Sequence, residues 1–148
     1  MQGMPGFYLS YFGIRVTDLE RSLGFYRDVL GLEEIRRGDN SPNGGGTYVL
    51  LRDPWSGQKL ELNWYPPGSR HAHPYLPGEG LDHIAFRVDD LPRFLEKLRR
   101  EGAEDTGGVA DHVSPSGNPV AYVKDPDGNW LEVYSHSGPM PSLPPEGY

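Results

Sequence analysis

The side-chain types and spacing of this sequence favour metal chemistry. His83, Glu61 and Glu132 occupy positions that an internal repeat relates to one another, and Tyr11 holds the fourth related position. An imidazole and two carboxylates that converge on one point suit a divalent ion such as Zn, Ni, Co, Fe(II) or Mn. With two glutamates near such an ion, one can act as a ligand and the other as a general base.

The repeat covers most of the chain. The aligned segments are residues 11–31 with 83–102, and residues 53–61 with 125–132. The equivalent pairs are Tyr11 with His83, Arg15 with Arg87, Asp18 with Asp90, and Glu61 with Glu132. Self-similarity at one period indicates a duplicated structural unit. Two such units that face each other would form one central site with contributions from both.

The first unit is predicted to have the order β-α-β-β-β. Residues 9–16 alternate between apolar and polar side chains, which is typical of a strand. The capping-box pattern of residues 17–20 predicts the start of a helix, and Gly31 is a plausible stop for it. The strands that follow are expected near residues 33–37, 47–52 and 58–64.

The second unit is expected to repeat this order. Its elements are a strand over 81–88, a helix capped by Asp89 or Asp90 and ended by Gly102, and strands near 108–113, 119–124 and 129–135. A Pro- and Gly-rich linker joins the units, and a Pro-rich tail follows the second. The predicted boundaries within one domain of residues 1–148 are module 1 about 8–66, linker 66–80, module 2 about 80–136 and tail 137–148.

Strand alternation sorts the candidate residues onto one face. Apolar side chains are expected under the helices, and they are Phe12, Ile14 and Val16, then Leu60 and Leu62, then Ile84, Phe86 and Val88, then Leu131 and Val133. The alternate positions then place Tyr11, Glu61, His83 and Glu132 on the helix-free face of their strands. The internal repeat strengthens the interpretation of these four residues as a site.

Each of these residues also has an ordinary structural interpretation. A strand histidine is often just hydrogen-bonded. Paired glutamates on a sheet face are often solvated or salt-bridged, here to Arg15 and Arg87. Aromatic residues such as Trp64, Trp130, Tyr48 and Tyr122 often only pack.

Composition excludes several classes of function. The chain has 148 residues, a formal charge of −7 and no cysteine. An acidic chain is a poor partner for nucleic acid, and thiolate catalysis and disulfides are excluded. No apolar run approaches the length of a membrane span and the first residues do not resemble a signal peptide, so a soluble cytoplasmic protein is expected.

In its repeated motifs the chain resembles the vicinal oxygen chelate superfamily, which includes glyoxalase I, bleomycin-resistance proteins and extradiol dioxygenases. The matching stretches are residues 13–32, 60–64, 80–88 and 125–132, and the resemblance spans roughly residues 8–135. It implies an α+β fold in which two paired βαβββ modules form a cup-shaped mixed sheet around a metal, with the helices outside.

Glyoxalase I uses four ligand positions, one near each end of each module. The resemblance implies that Glu61, His83 and Glu132 fill the second, third and fourth. Tyr11 stands where the first ligand, a histidine, is expected, and a neutral phenol is a poor ligand. The open alternatives are a site with three protein ligands, Tyr11 as phenolate, recruitment of His71 or His73, or no metal at all.

The function expected first is a metal-dependent, glyoxalase-like lyase or isomerase. The metal would chelate two adjacent oxygens of a small substrate and stabilise an enediolate, while Glu61 or Glu132 moves a proton at the neighbouring carbon. The alternatives are a metal-free small-molecule binding or resistance protein and an extradiol-type dioxygenase. The candidates to bind the substrate or line the site are Tyr11, Arg15, Arg87, Trp64 and Trp130.

A homodimer is expected because each module leaves strand edges that need pairing. The residues leave open whether the modules pair within one chain or between chains. Arg15, Arg87, Arg70 and Lys124 could hold carboxylates, but the residues do not by themselves support the use of glutathione.

Overall fold

Module 1 has the predicted βαβββ order in a computed structural model that describes residues 6, 9–40, 45–102, 117, 119–135 and 138. Its elements are β1 (Phe12–Arg15), α1 (Leu19–Leu23) with a π-helical continuation (Gly24–Val29), β2 (Glu33–Asp39), β3 (Thr47–Arg52) and β4 (Lys59–Trp64). The strands form one sheet in the order β1-β4-β3-β2, in which β1 and β4 are parallel and the other pairs antiparallel. The first and last strands of the module are therefore neighbours.

Module 2 repeats this arrangement. Its described elements are β5 (His83–Val88), α2 (Leu91–Arg100), β6 (Val120–Lys124) and β7 (Trp130–Ser135). The sheet order is β5-β7-β6, with β5 parallel to β7, just as β1 is parallel to β4. The strand expected near residues 108–113 and, apart from Gly138, the expected tail lie outside the described residues. The mixed α+β fold is confirmed.

The helix caps follow the repeat. Asp18 caps α1 by accepting a hydrogen bond from the Arg21 amide, and Asp90 caps α2 in the same way. The expectation that Thr17 opens α1 through a capping box was wrong by one residue, because its hydroxyl donates to Asp127 of module 2 instead. The equivalent aspartates therefore start both helices.

The hydrophobic core lies between the helices and the apolar faces of the strands. It contains residues from both modules, including Leu23, Tyr26, Leu62, Leu95, Leu131 and Val133. Phe12 departs from the expected pattern, since it is 57% exposed at the start of the edge strand β1. Ile84, Phe86 and Val88 are only partly buried on the other edge strand, β5. β5 thus covers its apolar side chains less completely than β6 and β7 do.

Helix α1 of module 1 is joined to the β6–β7 turn of module 2. The buried Tyr26 hydroxyl donates to Asp125 Oδ2 at 2.6 Å, and the Asn129 side chain donates to the same oxygen at 2.8 Å. The other carboxylate oxygen of Asp125 accepts the backbone amides of Asp127 and Asn129. One buried carboxylate therefore shapes the turn and binds it to the other module.

Within the described residues, no helix is long and apolar enough to cross a membrane.

Candidate metal centre

The helix-free face of module 2 forms a regular grid of side chains. Strand pairing aligns His83, Trp130 and Lys124 in one row, and Ala85, Glu132 and Tyr122 in the next. The opposite face of β7 carries Leu131 and Val133, each only 1% exposed. Alternation along the strands therefore separates this face from the core as the sequence predicted.

His83 and Glu132 are brought together on this face. His83 Nε2 lies 3.3 Å from Glu132 Oε2, and the two side chains are 37% and 24% exposed. Two donors that bind one ion at 2.0–2.2 Å stand roughly 3.0–3.5 Å apart, so this pair has the spacing of two ligands of a shared ion. One imidazole nitrogen and one carboxylate oxygen suit a borderline divalent metal.

Asp82 lies behind the imidazole of His83. Its Oδ1 is 2.6 Å from His83 Nδ1. A carboxylate that accepts the Nδ1 proton leaves the lone pair of Nε2 facing the site, and metal-binding histidines commonly have such a partner. The sequence interpretation missed Asp82, although its position next to a candidate ligand was a usable signal.

Tyr122 contacts the same carboxylate oxygen as His83. Its hydroxyl donates to Glu132 Oε2 at 3.3 Å. Burial raises the pKa of Tyr122, and the charge of Glu132 raises it further, so the phenol stays a proton donor near neutral pH. Tyr122 therefore makes a polar contact with Glu132 as well as packing against Trp130.

Glu61 occupies the corresponding place in module 1. It lies opposite Gly13 in the β1–β4 pairing, as Glu132 lies opposite Ala85 in the β5–β7 pairing. Its Oε1 accepts a hydrogen bond from Asn63 Nδ2 at 3.1 Å. Glu61 is thus on the expected face, but its partner is an amide rather than His83.

The described residues contain no group of three histidine, aspartate or glutamate side chains arranged to hold a metal. We define two candidate half-sites that the internal repeat relates, namely half-site 1 (Tyr11 and Glu61) and half-site 2 (His83 and Glu132). Half-site 2 fits two ligands of an ion. A complete ligand set needs further donors from elsewhere, because two protein ligands fall short of the three found in catalytic zinc sites.

Tyr11 precedes β1 directly and is 42% exposed. The repeat relates it to His83, which opens β5. Within the described part of the chain, its hydroxyl has no hydrogen-bond partner. The structure leaves its predicted role at the metal untested.

Arg15 and Arg87 donate hydrogen bonds to backbone carbonyl groups and form no ion pair with Glu61 or Glu132 among the described residues. Arg15 donates to the carbonyl oxygens of His71 and Pro74 at 2.9 and 3.2 Å. Arg87 donates to the carbonyl oxygen of Gly138. Ion pairs from these arginines to Glu61 and Glu132 were one of the expected alternatives. The contacts with backbone carbonyl groups are found in their place. The two arginines hold equivalent segments, each of which follows the last strand of its module.

The two candidate tryptophans differ. Trp64 packs against the hydrophobic core on the side of Leu62, and its place in the lining of the site stays a prediction. Trp130 lies on the site face and is 38% exposed. The alternation of β4 already placed Trp64 with Leu60 and Leu62, so the signal was present in the sequence.

A cavity of about 1480 Å³ borders the edge strands. Its walls come from β1, β5 and the linker, and include Arg15, His83 and Arg87. The linker is fixed there by Tyr75, whose hydroxyl donates to Asn129 Oδ1 at 2.7 Å. His71 also lies in this wall, and its ring packs against Tyr65 at a tilt of 42° with 5.1 Å between the ring centroids.

Known proteins share this fold and sequence. The family model described as the Glyoxalase/Bleomycin resistance protein/Dioxygenase superfamily matches residues 8–133. The chain belongs to this superfamily. This confirms the resemblance that the repeated motifs indicated.

Among members of the superfamily, lactoylglutathione lyases are similar in sequence. The one from Haemophilus influenzae is 35% identical over 132 residues, which cover 88% of this chain and 93% of the relative. The one from Neisseria meningitidis serogroup A is 36% identical over 126 residues, covering 80% and 83%. The trypanothione-dependent glyoxalase I of Leishmania major is similar in structure, with a TM-score of 0.63, 29% identity and 86% of each chain covered.

Proposed function

We propose that this superfamily member is a metal-dependent lyase of the glyoxalase type, acting on a small substrate with two adjacent oxygens. The observation that carries the proposal is the pairing of His83 with Glu132, 3.3 Å apart on the face opposite the core. The similarity to lactoylglutathione lyases over most of the chain supports a reaction that interconverts a 2-hydroxyacyl thioester such as lactoylglutathione and the isomeric hemithioacetal of a thiol with a 2-oxoaldehyde.

Three protein ligands are assigned to the metal, namely Glu61, His83 and Glu132. A bound divalent ion would act as a Lewis acid that polarises two adjacent substrate oxygens. Asp82 holds His83 in the tautomer that binds metal, and Asn63 and Tyr122 orient the two carboxylates. Glu61 or Glu132 then moves a proton at the carbon next to the substrate carbonyl.

A second copy of the chain completes the site in this proposal. The described strands β1 and β5 are each paired on one side only, and an unpaired strand edge favours association. Pairing β1 of one copy with β5 of another would place half-site 1 beside half-site 2, and curvature of the combined sheet would bring the carboxylates together. A two-fold dimer forms two such sites.

Elemental analysis of the purified protein tests the metal assignment. We expect about one divalent ion per chain, because three ligands from two chains form each of two sites. His83→Ala should lose the ion, whereas His73→Ala, which changes an exposed linker histidine, should keep it. Equal metal content in the two variants would remove His83 from the site.

The reaction is tested by following the rise in ultraviolet absorbance as the thioester forms from glutathione and a 2-oxoaldehyde, because the equilibrium between hemithioacetal and thioester favours the thioester. Removal of the metal with a chelator should stop thioester turnover, and the added ion should restore it. Glu61→Gln and Glu132→Gln should each lower kcat strongly. Ligand binding that needs no metal would favour a binding or resistance protein instead, and oxygen consumption would favour a dioxygenase.

A further inference from the structure

An exposed tryptophan lies directly beside the metal-binding half-site. Trp130 pairs with His83 on one side and with Lys124 on the other, so the three form one row across the sheet. Its side chain remains 38% exposed, although its strand neighbour Leu131 is 1% exposed. A molecule held at His83 and Glu132 would therefore have the indole ring as its neighbour one strand away, at a spacing of about 4.8 Å.

The indole ring is held in place by its neighbours. Lys124 Nζ lies over the ring, 5.0 Å from its centroid. The Tyr122 ring meets it edge-on, with 6.3 Å between centroids and an angle of 85°. Because both neighbours fix its orientation, the ring offers a preformed apolar surface at low entropic cost.

Lys124 gives this surface a positive charge. Among the described residues, no carboxylate lies within salt-bridge distance of its amine, while Arg52, at the equivalent position of module 1, pairs with Glu33 at 2.9 Å. A chain with a net charge of −7 therefore has a lysine without a described carboxylate partner next to an exposed aromatic ring. This combination suits a ligand with an apolar body and a carboxylate.

We propose that Trp130 and Lys124 form a subsite for the part of the substrate that does not react, and that this part is an apolar group carrying a carboxylate. The inference rests on the proposed function, since it places the reacting oxygens at His83 and Glu132. Trp130 packs against the apolar group, and Lys124 pairs with the carboxylate. The substrates selected are thus anionic, and their neutral analogues bind more weakly.

Nuclear magnetic resonance titration of the full chain tests the subsite without any turnover. The probes are naphthalene-1-acetate and naphthalene-1-acetamide, which differ in charge but hardly in shape. The chain has three tryptophans, so the indole N–H signal of Trp130 can be assigned by substitution and followed separately. We expect the acid to shift this signal and to bind about threefold more tightly than the amide, as one exposed ion pair allows.

Variants separate the two contributions. Lys124→Met should make the acid and the amide bind equally, whereas Lys124→Arg should preserve the preference for the acid. Trp130→Leu should weaken both probes by about tenfold, because the aromatic surface is lost. Lys97→Met, which removes an exposed charge on α2, is the matched control and should change neither affinity.

Equal affinities of the native protein for the acid and the amide would overturn the proposal. So would probe-induced shifts confined to the signals of Trp55 and Trp64, or an equal effect of Lys97→Met and Lys124→Met. Because the titration needs neither metal nor turnover, the subsite can stand if the lyase activity is absent, and it can fail if that activity is present.

Discussion

At the residue scale, the two related glutamates have different neighbours. Glu132 faces the phenol of Tyr122 and the imidazole of His83 through one oxygen, whereas Glu61 faces the amide of Asn63. Leu50 lies opposite Glu61, where Tyr122 lies opposite Glu132 in module 2. Duplication thus kept the carboxylates and changed their hydrogen-bond partners. The two carboxylates therefore differ in the hydrogen-bond donors that orient them.

Substitutions of Tyr11 test whether it occupies the first ligand position. Tyr11→His would supply the imidazole found there in glyoxalase I, so metal binding should tighten, by about tenfold for one added ligand. Tyr11→Phe keeps the ring and removes only the hydroxyl, so it should weaken metal binding if the phenol touches the ion or its bound water. Calorimetric titration with Zn²⁺ or Ni²⁺ measures both changes.

Substitution of Tyr65 by Phe gives the matched control, because that partly buried ring belongs to the linker wall rather than to the half-sites. Unchanged metal affinity in both Tyr11 variants would show that Tyr11 only packs. The site would then hold three protein ligands, and the analogy with glyoxalase I would lose its first position.

At the element scale, the turn at Asp125 both reverses the chain and joins the two modules. The sequence motif of residues 125–128 predicts a hairpin turn, and the turn is present between β6 and β7. Its buried carboxylate also receives the hydroxyl of Tyr26 from module 1. Module 1 has an aspartate at the equivalent position, Asp53, but Leu98 in α2 replaces the tyrosine.

Tyr26→Phe should destabilise the protein by about 2 kcal/mol, since it removes a buried hydrogen bond to a charged group. Urea unfolding measures the change. Tyr65→Phe is the control, because its hydroxyl forms no hydrogen bond within the described residues, and it should cost far less. Equal losses would show that the Tyr26–Asp125 bond contributes little to the joint between the modules.

Because of Tyr26, we expect the protein to lose stability at high pH. Burial, followed by the charge of Asp125, raises the pKa of Tyr26 well above its usual value. The unfolded chain releases this proton above about pH 10 while the folded chain keeps it, so the free energy of unfolding falls as pH rises past that point. Tyr26→Phe should flatten this alkaline limb in a series of urea unfolding curves. An equally steep limb in the variant would assign it to other groups.

Gly46 fixes the turn between β2 and β3. Its φ is +99°, and a Cβ there would lie 2.1 Å from the Trp64 carbonyl oxygen. Gly45 also has a positive φ, but a Cβ would meet Pro66 at an ordinary 3.5 Å. Gly46→Ala should therefore cost clearly more stability than Gly45→Ala, which carries only the backbone strain of about 1 kcal/mol. Thermal unfolding compares the two, and equal melting temperatures would contradict the steric argument.

Local patterns in the sequence predicted the elements, because alternation, caps and glycine stops act over a few residues. The strands, the cap at Asp90 and the shared face of His83 and Glu132 follow from such patterns. The exposure of Phe12 and the bond from Thr17 to Asp127 did not, because both depend on contacts across more than one element. Whether Glu61 reaches His83 depends on the packing of whole modules, which no local pattern contains.

At the scale of the whole molecule, the modules are joined on their helix side and leave their edge strands unpaired among the described residues. Two hydroxyl groups bind the β6–β7 turn. Tyr26 of module 1 donates to Asp125, and the linker residue Tyr75 donates to Asn129. These contacts fix the modules relative to each other while β1 and β5 border a shared cavity. In the proposed assembly, a second copy of the chain pairs with these edges and supplies the other half-site.

Mixing two inactive variants tests whether the site forms between chains. Glu61→Gln spoils half-site 1 and His83→Ala spoils half-site 2, so each variant alone should be inactive. When the two are unfolded and refolded together, about half of the dimers contain one chain of each kind. If sites form between chains, each mixed dimer has one site with both defects and one intact site. The mixture should therefore recover about a quarter of the native activity in the thioester assay.

The control mixes Glu61→Gln with a chain that carries both substitutions. No pairing of these chains contains an intact half-site 1, so no activity should return. If both halves of a site came from one chain, each chain in the first mixture would keep its own defect, and that mixture would be as inactive as the control. Recovery in the first mixture alone would therefore require half-site 1 of one copy to act together with half-site 2 of the other.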